Sequence, residues 1–285
     1  IVAYDNFGPF PALVAAAALL TDYILTVSVS VSSGVAQIIS AYPDLFDYRV
    51  PISVLCVVLI MIVNLRGMRE AGAAFAFPSY FFIVMMLIMI GTGLARVFTG
   101  SLSTVPNPPE VEHFGELVPA VTAFLLLHAF SSGTTALTGV EAISNGITAF
   151  KEPRSRNAGI TLIWMSLILG SLFLGISFLT GHISPVFSEE ETIISQLART
   201  IYNGRGLPYI ALIWGTTVIL IMAANTAFAD FPRLGALHAG DGFLPKQLTF
   251  RGSRLVYSNG IITLSIIASL LIIIFQASVT RLIPL

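Results

Sequence analysis

The sequence predicts an all-α protein whose helices cross a membrane several times. Hydrophobic residues make up 55% of its 285 residues and charged residues 10%, against roughly 25% charged residues in an average soluble domain. A soluble domain of this length has too small a core to remove so much apolar surface from water, whereas lipid accepts it. Seven apolar stretches approach the roughly 20 residues that a spanning helix needs. They are residues 13–39, 50–63, 73–98, 117–149, 159–181, 207–229 and 258–275.

The first predicted helix carries a polar stripe. At 100° per residue, five polar side chains fall within about 80° of arc. They are Asp22, Thr26, Ser30, Ser33 and Gln37. A carboxylate at the centre of a spanning helix costs roughly 2.5–3.5 kcal/mol on insertion scales, so it normally faces a cavity or the interior of a bundle. The stripe therefore indicates either a path for a cation or proton, with Asp22 and Thr26 as ligands, or a seam between helices. Packing accounts for the serines but not for the aspartate.

The second and third predicted helices have simpler patterns. The second, residues 50–63, is short for a crossing and contains Cys56, the single cysteine. We interpret Cys56 as a small buried residue, so neither a disulfide framework nor a cysteine-based metal site is expected. The third, residues 73–98, contains Pro78, which is typical of a helix kink.

The fourth stretch is too long for one straight crossing, and its middle is poor helix material. It reads SSGTT at residues 131–135, which places glycine and hydroxyl side chains at the membrane centre. We expect a break in the helix there, because freed backbone groups are tolerated only beside a cavity. Ser132 and Gly133 are therefore candidates for lining a cavity or for coupling. The alternative is a continuous tilted helix with a glycine packing patch.

Beyond the expected break, a second polar face begins. Thr138, Glu141 and Asn145 lie within about 80° on one side of the second half-helix. We take Glu141 and Asn145 as candidates for lining a cavity or for coupling.

The remaining predicted helices are mainly apolar. Between the fifth and the sixth, Glu189, Glu190 and Glu191 precede an amphipathic run to Tyr202, which predicts a short surface helix across the external mouth. Asn225 in the sixth is a candidate for the same cavity, and an interhelical hydrogen bond accounts for it equally well.

Lysine and arginine placement predicts the orientation in the membrane. Numbered in chain order, connectors two, four and six hold nine of the 14 basic residues, and connectors one, three and five hold four. The nine are Arg66, Arg69, Lys151, Arg154, Arg156, Arg233, Lys246, Arg251 and Arg254. We therefore expect residues 64–72, 150–157 and 230–257 to face the cytoplasm of a prokaryote, in a multi-pass cytoplasmic membrane protein.

Motifs of other function classes are missing from the sequence. It contains no zinc-protease motif, no nucleophile elbow and no phosphate-binding loop with lysine. We therefore expect no enzymatic activity, no cofactor and no catalytic metal site. The net charge of −1, without a basic run, predicts no nucleic-acid partner.

Three segments resemble signatures of a known transporter superfamily. One reads GVEAIS at 139–144 and continues as FKEPRSRNA at 150–158. The second reads DYILTV at 22–27, and the third reads ADFPRL at 229–234 with DGFLP at 241–245. They are similar to the amino acid–polyamine–organocation permeases and, among these, to the KimA-type potassium importers. The loop after the broken helix only approximates the spacing of the superfamily.

The resemblance implies a LeuT-like inverted-repeat fold. The chain would correspond to helices three to nine of that fold, as a single transmembrane helical domain over residues 1–285. We expect it to be truncated at both ends and to contain no soluble domain.

The resemblance also implies a function and a site. It implies secondary active transport in the lipid bilayer, with proton-coupled uptake of potassium and a potassium site at Asp22, Tyr23, Thr26 and Thr138. The alternative is an amino-acid permease, in which backbone groups of broken helices hold the substrate. A third possibility, a passive channel or structural subunit, predicts a continuous pore without an occluded site. The sequence leaves the oligomeric state open, with a homodimer among the states allowed.

Overall fold

The structure is a computed structural model that describes residues 6–67, 72–109, 122–133, 143, 147, 150–250, 252 and 257–283. No β-strand occurs in these residues. The helices are α1 (Pro9–Ala41), α2 (Arg49–Leu65), α3 (Gly72–Phe98), α4 (Ala123–Gly133), α5 (Arg154–Ile183), α6 (Ile193–Ile201), α7 (Leu207–Gly240), α8 (Ser258–Ile274) and α9 (Val279–Leu282). Short 3-10 helices occupy Pro43–Tyr48 and Lys246–Thr249.

Five helical segments of the described chain are long and apolar enough to cross a membrane. They are Pro9–Ala41, Pro43–Leu65, Phe75–Phe98, Arg154–Ile183 and Leu207–Gly240, and the shorter Ser258–Ile274 is also apolar. The prediction of an all-α, multiply spanning membrane protein is therefore confirmed.

Several helix ends differ from the predicted ones. The second span begins at Pro43, because the 3-10 helix Pro43–Tyr48 leads directly into α2. Helix α5 begins at Arg154, and α7 continues to Gly240, so the predicted connector 230–257 starts as helix. The predicted ends follow hydropathy, which falls where a helix leaves the membrane. The observed ends follow backbone hydrogen bonds, which continue beyond that point.

Local signals fix the ends of the long helices. Helix α1 starts with Pro9, whose missing N–H is not needed in a first turn. It ends where Tyr42 N–H donates to Ile38 O at 2.9 Å, one residue before Pro43. Helix α5 ends at Ile183 and is capped by Ser184, which has a left-handed φ of 51°.

The described chain forms two compact units, and the first comprises Ile1–Ser79 and Thr216–Ile283. Within it α1 packs against α2 and α8, and α9 also contacts α1. The buried core of this unit includes Tyr23, Val27, Val31, Val35, Val57, Ala224, Phe228, Leu264 and Ala268.

Two glycines of the first unit allow helices to approach closely. A Cβ added at Gly34 of α1 would lie 3.1 Å from Ile221 Cγ1 and 3.3 Å from Thr217 O in α7. A Cβ at Gly260 of α8 would lie 2.8 Å from Pro232 Cβ in α7. Small residues at such crossings let membrane helices gain van der Waals contact, since lipid supplies no hydrophobic drive between them.

The second unit comprises Tyr80–Gly215. Helix α5 contacts α6, and Val105 N–H donates to Ile183 O at 3.1 Å, which ties residue 105 to the end of α5. The fully buried side chains of this unit include Met89, Leu179, Ile183, Leu197, Tyr209 and Leu212.

The fourth predicted stretch, residues 117–149, is described only in part. Helix α4 includes Ser131 to Gly133, and the continuation at Thr134 and Thr135 lies outside the described residues. The expected break therefore stays a prediction.

The short helix predicted before Tyr202 is present as α6, but it is not a surface helix. Ser195, Gln196 and Leu197 are each completely buried. The prediction of a surface position is wrong because polar groups of neighbouring segments satisfy the polar side of α6, as described below.

Candidate functional site

The polar stripe of α1 lies away from the packed core of the first unit. Asp22 is exposed, and Thr26, Ser30 and Ser33 are half-buried. Only Gln37, at the end of the stripe, is buried. Helix α1 instead packs with the opposite side, where Val27 and Val31 are completely buried. Among the described residues, the fully buried part of α1 is therefore the valine side.

The valine side of α1 contains two serines that sequence reasoning passed over. Ser28 Oγ donates to Ile24 O at 2.9 Å and lies 3.3 Å from Ala268 O of α8. Ser32 is also buried, on the same side of α1. The spacing of the valines at 27, 31 and 35 was the signal for this side, because positions four apart share a face.

The predicted potassium ligands on α1 divide between these two sides. Asp22 and Thr26 lie one turn apart on the polar stripe. Tyr23 is 4% exposed and belongs to the core. The structure thus brings Asp22 and Thr26 together and turns Tyr23 towards the packed helices.

Most of the second polar face lies outside the described residues. Thr138, Glu141 and Asn145 all lie outside them. The side chain of Ser132, before the expected break, also lies outside the described part of the chain. Gly133 is the last residue of α4, and a Cβ added there would meet nothing within 4 Å.

Asn225 takes part in a hydrogen bond between helices. Its Oδ1 accepts from Asn64 Nδ2 of α2 at 2.7 Å, and the same nitrogen lies 2.9 Å from Ile60 O. This geometry supports the interhelical alternative for Asn225. Asn64 was not singled out from the sequence, although an amide in an apolar helix usually needs a partner.

The loop before α5 is held by its asparagine. Asn157 Nδ2 donates to Lys151 O at 2.8 Å, and Asn157 N–H donates to Pro153 O at 3.1 Å. Arg154 and Glu152 form an exposed ion pair at 3.2 Å. Asn157 therefore has a structural role, as it closes the loop onto the first turn of α5.

A buried polar cluster in the second unit was also missed. Glu191 Oε1 lies 2.8 Å from Arg199 Nε and 2.9 Å from Ser195 Oγ. Ser195 Oγ in turn lies 2.8 Å from the hydroxyl of Tyr209. A carboxylate removed from water needs such partners. The sequence showed Glu191 only as the last of three acidic residues before the short helix, and the pattern gave no sign that Arg199 and Ser195 would bond to it.

No group of three or more His, Cys, Asp or Glu side chains in the described part of the chain is arranged to hold a metal ion. The polar side of α1 differs from such a cluster in its composition. It offers one carboxylate with neutral hydroxyls beside it.

Comparison with known proteins matches the whole chain. The family model described as amino acid permease matches residues 1–285. The potassium transporter KimA of Bacillus subtilis is 46% identical over 285 residues, which are all of this chain and 46% of that protein. A probable potassium transport system protein Kup 3 of Rhizobium etli is 27% identical over 245 residues, or 82% of this chain and 34% of that protein.

A second Kup protein matches a shorter part. The probable potassium transport system protein Kup of Vibrio cholerae is 29% identical over 159 residues, or 56% of this chain and 25% of that protein. The chain thus spans less than half the length of each of these relatives.

Proposed function

The chain belongs to the amino acid permease family, and we infer from its similarity to named potassium transporters that the protein is a secondary active transporter whose cargo is potassium. KimA, 46% identical over the full chain, is named a potassium transporter, and the Kup relatives are named probable potassium transport proteins. The observation that carries the proposal is the placement of Asp22. Its carboxylate belongs to an apolar spanning helix and lies on the side of α1 away from the core.

The proposed site consists of Asp22, Tyr23, Thr26 and Thr138. A carboxylate with several neutral oxygens suits a hard cation that must also be released, because the charge attracts the ion and the neutral groups replace its water. Thr26 supports this role, since it lies one turn from Asp22 on the same stripe. Tyr23 would enter the site only through its hydroxyl, because its ring belongs to the core.

We further propose that protons drive uptake. Glu141 is the candidate proton carrier, since a carboxyl in a membrane cavity can exchange a proton with little structural change. Ser132, Gly133 and Asn145 are proposed to line the same cavity.

Amino-acid transport is the second candidate, favoured by the description of the family whose model matches the chain. It requires open backbone groups at broken helices to hold the carboxylate and ammonium of the substrate. Asp22 argues for a cation, and a cationic amino acid would also satisfy it.

We propose that the protein lies in the cytoplasmic membrane with residues 64–72, 150–157 and 230–257 inside. The exposed basic residues that support this include Arg154 and Arg156 in the first turn of α5 and Arg233 near the end of α7. Basic residues collect on the cytoplasmic side of membrane proteins.

Expression in a bacterial strain without its own potassium-uptake systems tests the proposal. We expect growth at low external potassium, uptake of a potassium tracer, and loss of that uptake when a protonophore collapses the proton gradient. Uptake of a labelled amino acid without potassium rescue would establish the second candidate. Rescue that persists in protonophore would retain potassium as cargo and reject proton coupling.

A further inference from the structure

Helix α6 is short and depends on its surroundings. It has 9 residues, and an isolated helix of that length is marginal in water. Its buried side chains include Ser195, Gln196, Leu197, Ala198 and Thr200. The contacts of α6 among the described residues lie in the second unit, and they come from segments before and after α6 in the chain.

An arginine of α3 binds the end of α6. Arg96 Nη1 lies 3.1 Å from Thr200 O, 2.6 Å from Ile201 O and 2.9 Å from Asn203 Oδ1. Its Nη2 lies 2.8 Å from Ser101 O. The last carbonyls of a helix lack intrahelical partners and carry the negative end of its dipole. The Arg96 guanidinium therefore supplies both hydrogen bonds and a favourable charge.

The start of α6 is fixed by side chains that bond to backbone. Thr192 Oγ1 accepts from Ser195 N–H at 3.2 Å. Gln196 Nε2 donates to Val186 O at 2.6 Å and to Glu191 O at 3.1 Å. Gln196 Oε1 accepts from Val186 N–H at 2.9 Å. The segment that precedes α6 is thus hydrogen-bonded to α6 through Gln196.

A buried ion pair joins α6 to two further segments. Arg199 and Glu191 are paired at 2.8 Å, with side chains 12% and 9% exposed. The Arg199 guanidinium also donates to Pro106 O, and to Asn107 O at 3.1 Å. Ser195, bonded to Glu191, contacts Tyr209 in the first turns of α7. Each guanidinium nitrogen of Arg199 therefore has an acceptor, and the acceptors come from different segments.

We propose that residues 96–109 and 183–209 form one rigid cap, and that α6 does not open as a separate lid during transport. Movement of α6 alone would separate the Glu191 carboxylate from Arg199, and the carbonyls of Thr200 and Ile201 from Arg96. Solute passage at this end of the unit, which the charge distribution predicts to be external, therefore requires the ends of α3, α5 and α6 to move together.

Hydrogen–deuterium exchange of the purified protein in detergent tests the cap without a transported solute. The Tyr202 amide bonds to Ala198 O at the end of α6, and the Thr99 amide bonds to Ala95 O at the end of α3. In one rigid cap the two amides share one opening reaction, so we expect protection factors within about tenfold of each other. If α6 is hinged, the Tyr202 amide should exchange about a hundredfold faster than the Thr99 amide. That result would overturn the proposal.

Arginine variants test whether Arg96 acts as the clamp that holds the end of α6 in the cap. We expect Arg96→Gln to speed exchange at Tyr202 and Gly204 by about tenfold or more, because the carbonyls at the end of α6 lose their donor. Arg49→Gln is the matched control, since Arg49 is likewise an arginine whose guanidinium donates to a backbone carbonyl, Gln276 O at 2.8 Å, but in the first unit. It should leave exchange in the cap unchanged.

A conservative variant keeps the test decisive if Arg96→Gln fails to fold. Arg96→Lys keeps the charge and loses the planar fork, so we expect an intermediate acceleration at Tyr202. Unchanged exchange at Tyr202 in a folded Arg96→Gln or Arg96→Lys variant would refute the role of Arg96 as clamp.

Discussion

Polar side chains inside α1 serve two different purposes. Ser28 is buried and joins α1 to α8 through Ala268 O. Asp22 and Thr26 lie on the other side, away from the valines of the core. The same residue classes therefore act as packing groups or as candidate ligands according to the side of the helix that they occupy.

Asp22→Asn keeps the shape of the side chain and removes its charge. We expect potassium uptake to fall by about tenfold or more, since bonds to a charged group contribute roughly 1.5–3 kcal/mol. Tracer uptake in the potassium-deficient strain, normalised to the amount of protein in the membrane, measures the effect. Ser33→Ala is the matched control, because it changes the same stripe without removing charge.

Wild-type uptake by Asp22→Asn at every potassium concentration would reject the cation site. Equal losses in Ser33→Ala and Asp22→Asn would instead assign the stripe to helix contacts, because both changes would then act through packing.

At the scale of elements, helix crossings in the first unit depend on residues without side chains. Helix α8 approaches α7 where Gly260 meets Pro232, and α1 approaches α7 at Gly34. Backbone lies among the nearest atoms at both crossings, so a side chain there cannot be accommodated by a rotamer change alone.

Gly260→Ala should destabilise the protein. The new Cβ would lie 2.8 Å from Pro232 Cβ and 2.9 Å from Pro232 Cα, so α7 and α8 must separate. We expect a loss of about 1–3 kcal/mol, the usual range for overpacking. Thermal unfolding in detergent measures the change.

Gly170→Ala in the middle of α5 is the control for this substitution. Nothing lies within 4 Å of a Cβ at Gly170, and alanine is the better helix former by about 0.8–1 kcal/mol. We expect unchanged or slightly higher stability. Equal melting temperatures for Gly260→Ala and wild type would show that the α7–α8 crossing is not tightly packed.

At the scale of the whole molecule, the orientation in the membrane rests on charge. The loop 150–157 is basic and exposed, whereas the segment before α6 contains Glu189 and Glu190. Each compact unit contains long apolar helical segments, and the charge rule predicts on which side of the membrane their connectors lie.

Single cysteines test this orientation. In a Cys56→Ala background, Glu190→Cys should react with an impermeant thiol reagent in intact cells, and Ser155→Cys should react only after the cells are opened. Both positions are exposed, so access to the reagent differs only through the membrane. Reaction of Ser155→Cys in intact cells would reverse the assignment.

The sequence by itself determined the helical membrane class, the main spans and the presence of a polar stripe on α1. Each of these depends on residue type and on spacing within one segment, which the order of residues records directly. Membership of the family was also predictable, because the motifs at residues 22–27 and 139–158 are short and local.

Only the tertiary structure decided which polar residues have partners. Asn64 bonds to Asn225, and Arg96 bonds to Thr200, across long separations in the chain. Sequence periodicity reports the faces of one helix and contains no information on what lies opposite. Glu191 therefore had the pattern of a solvated acid, whereas folding brings Arg199 and Ser195 to it and buries it, since a carboxylate leaves water only where charge and hydrogen bonds replace the water.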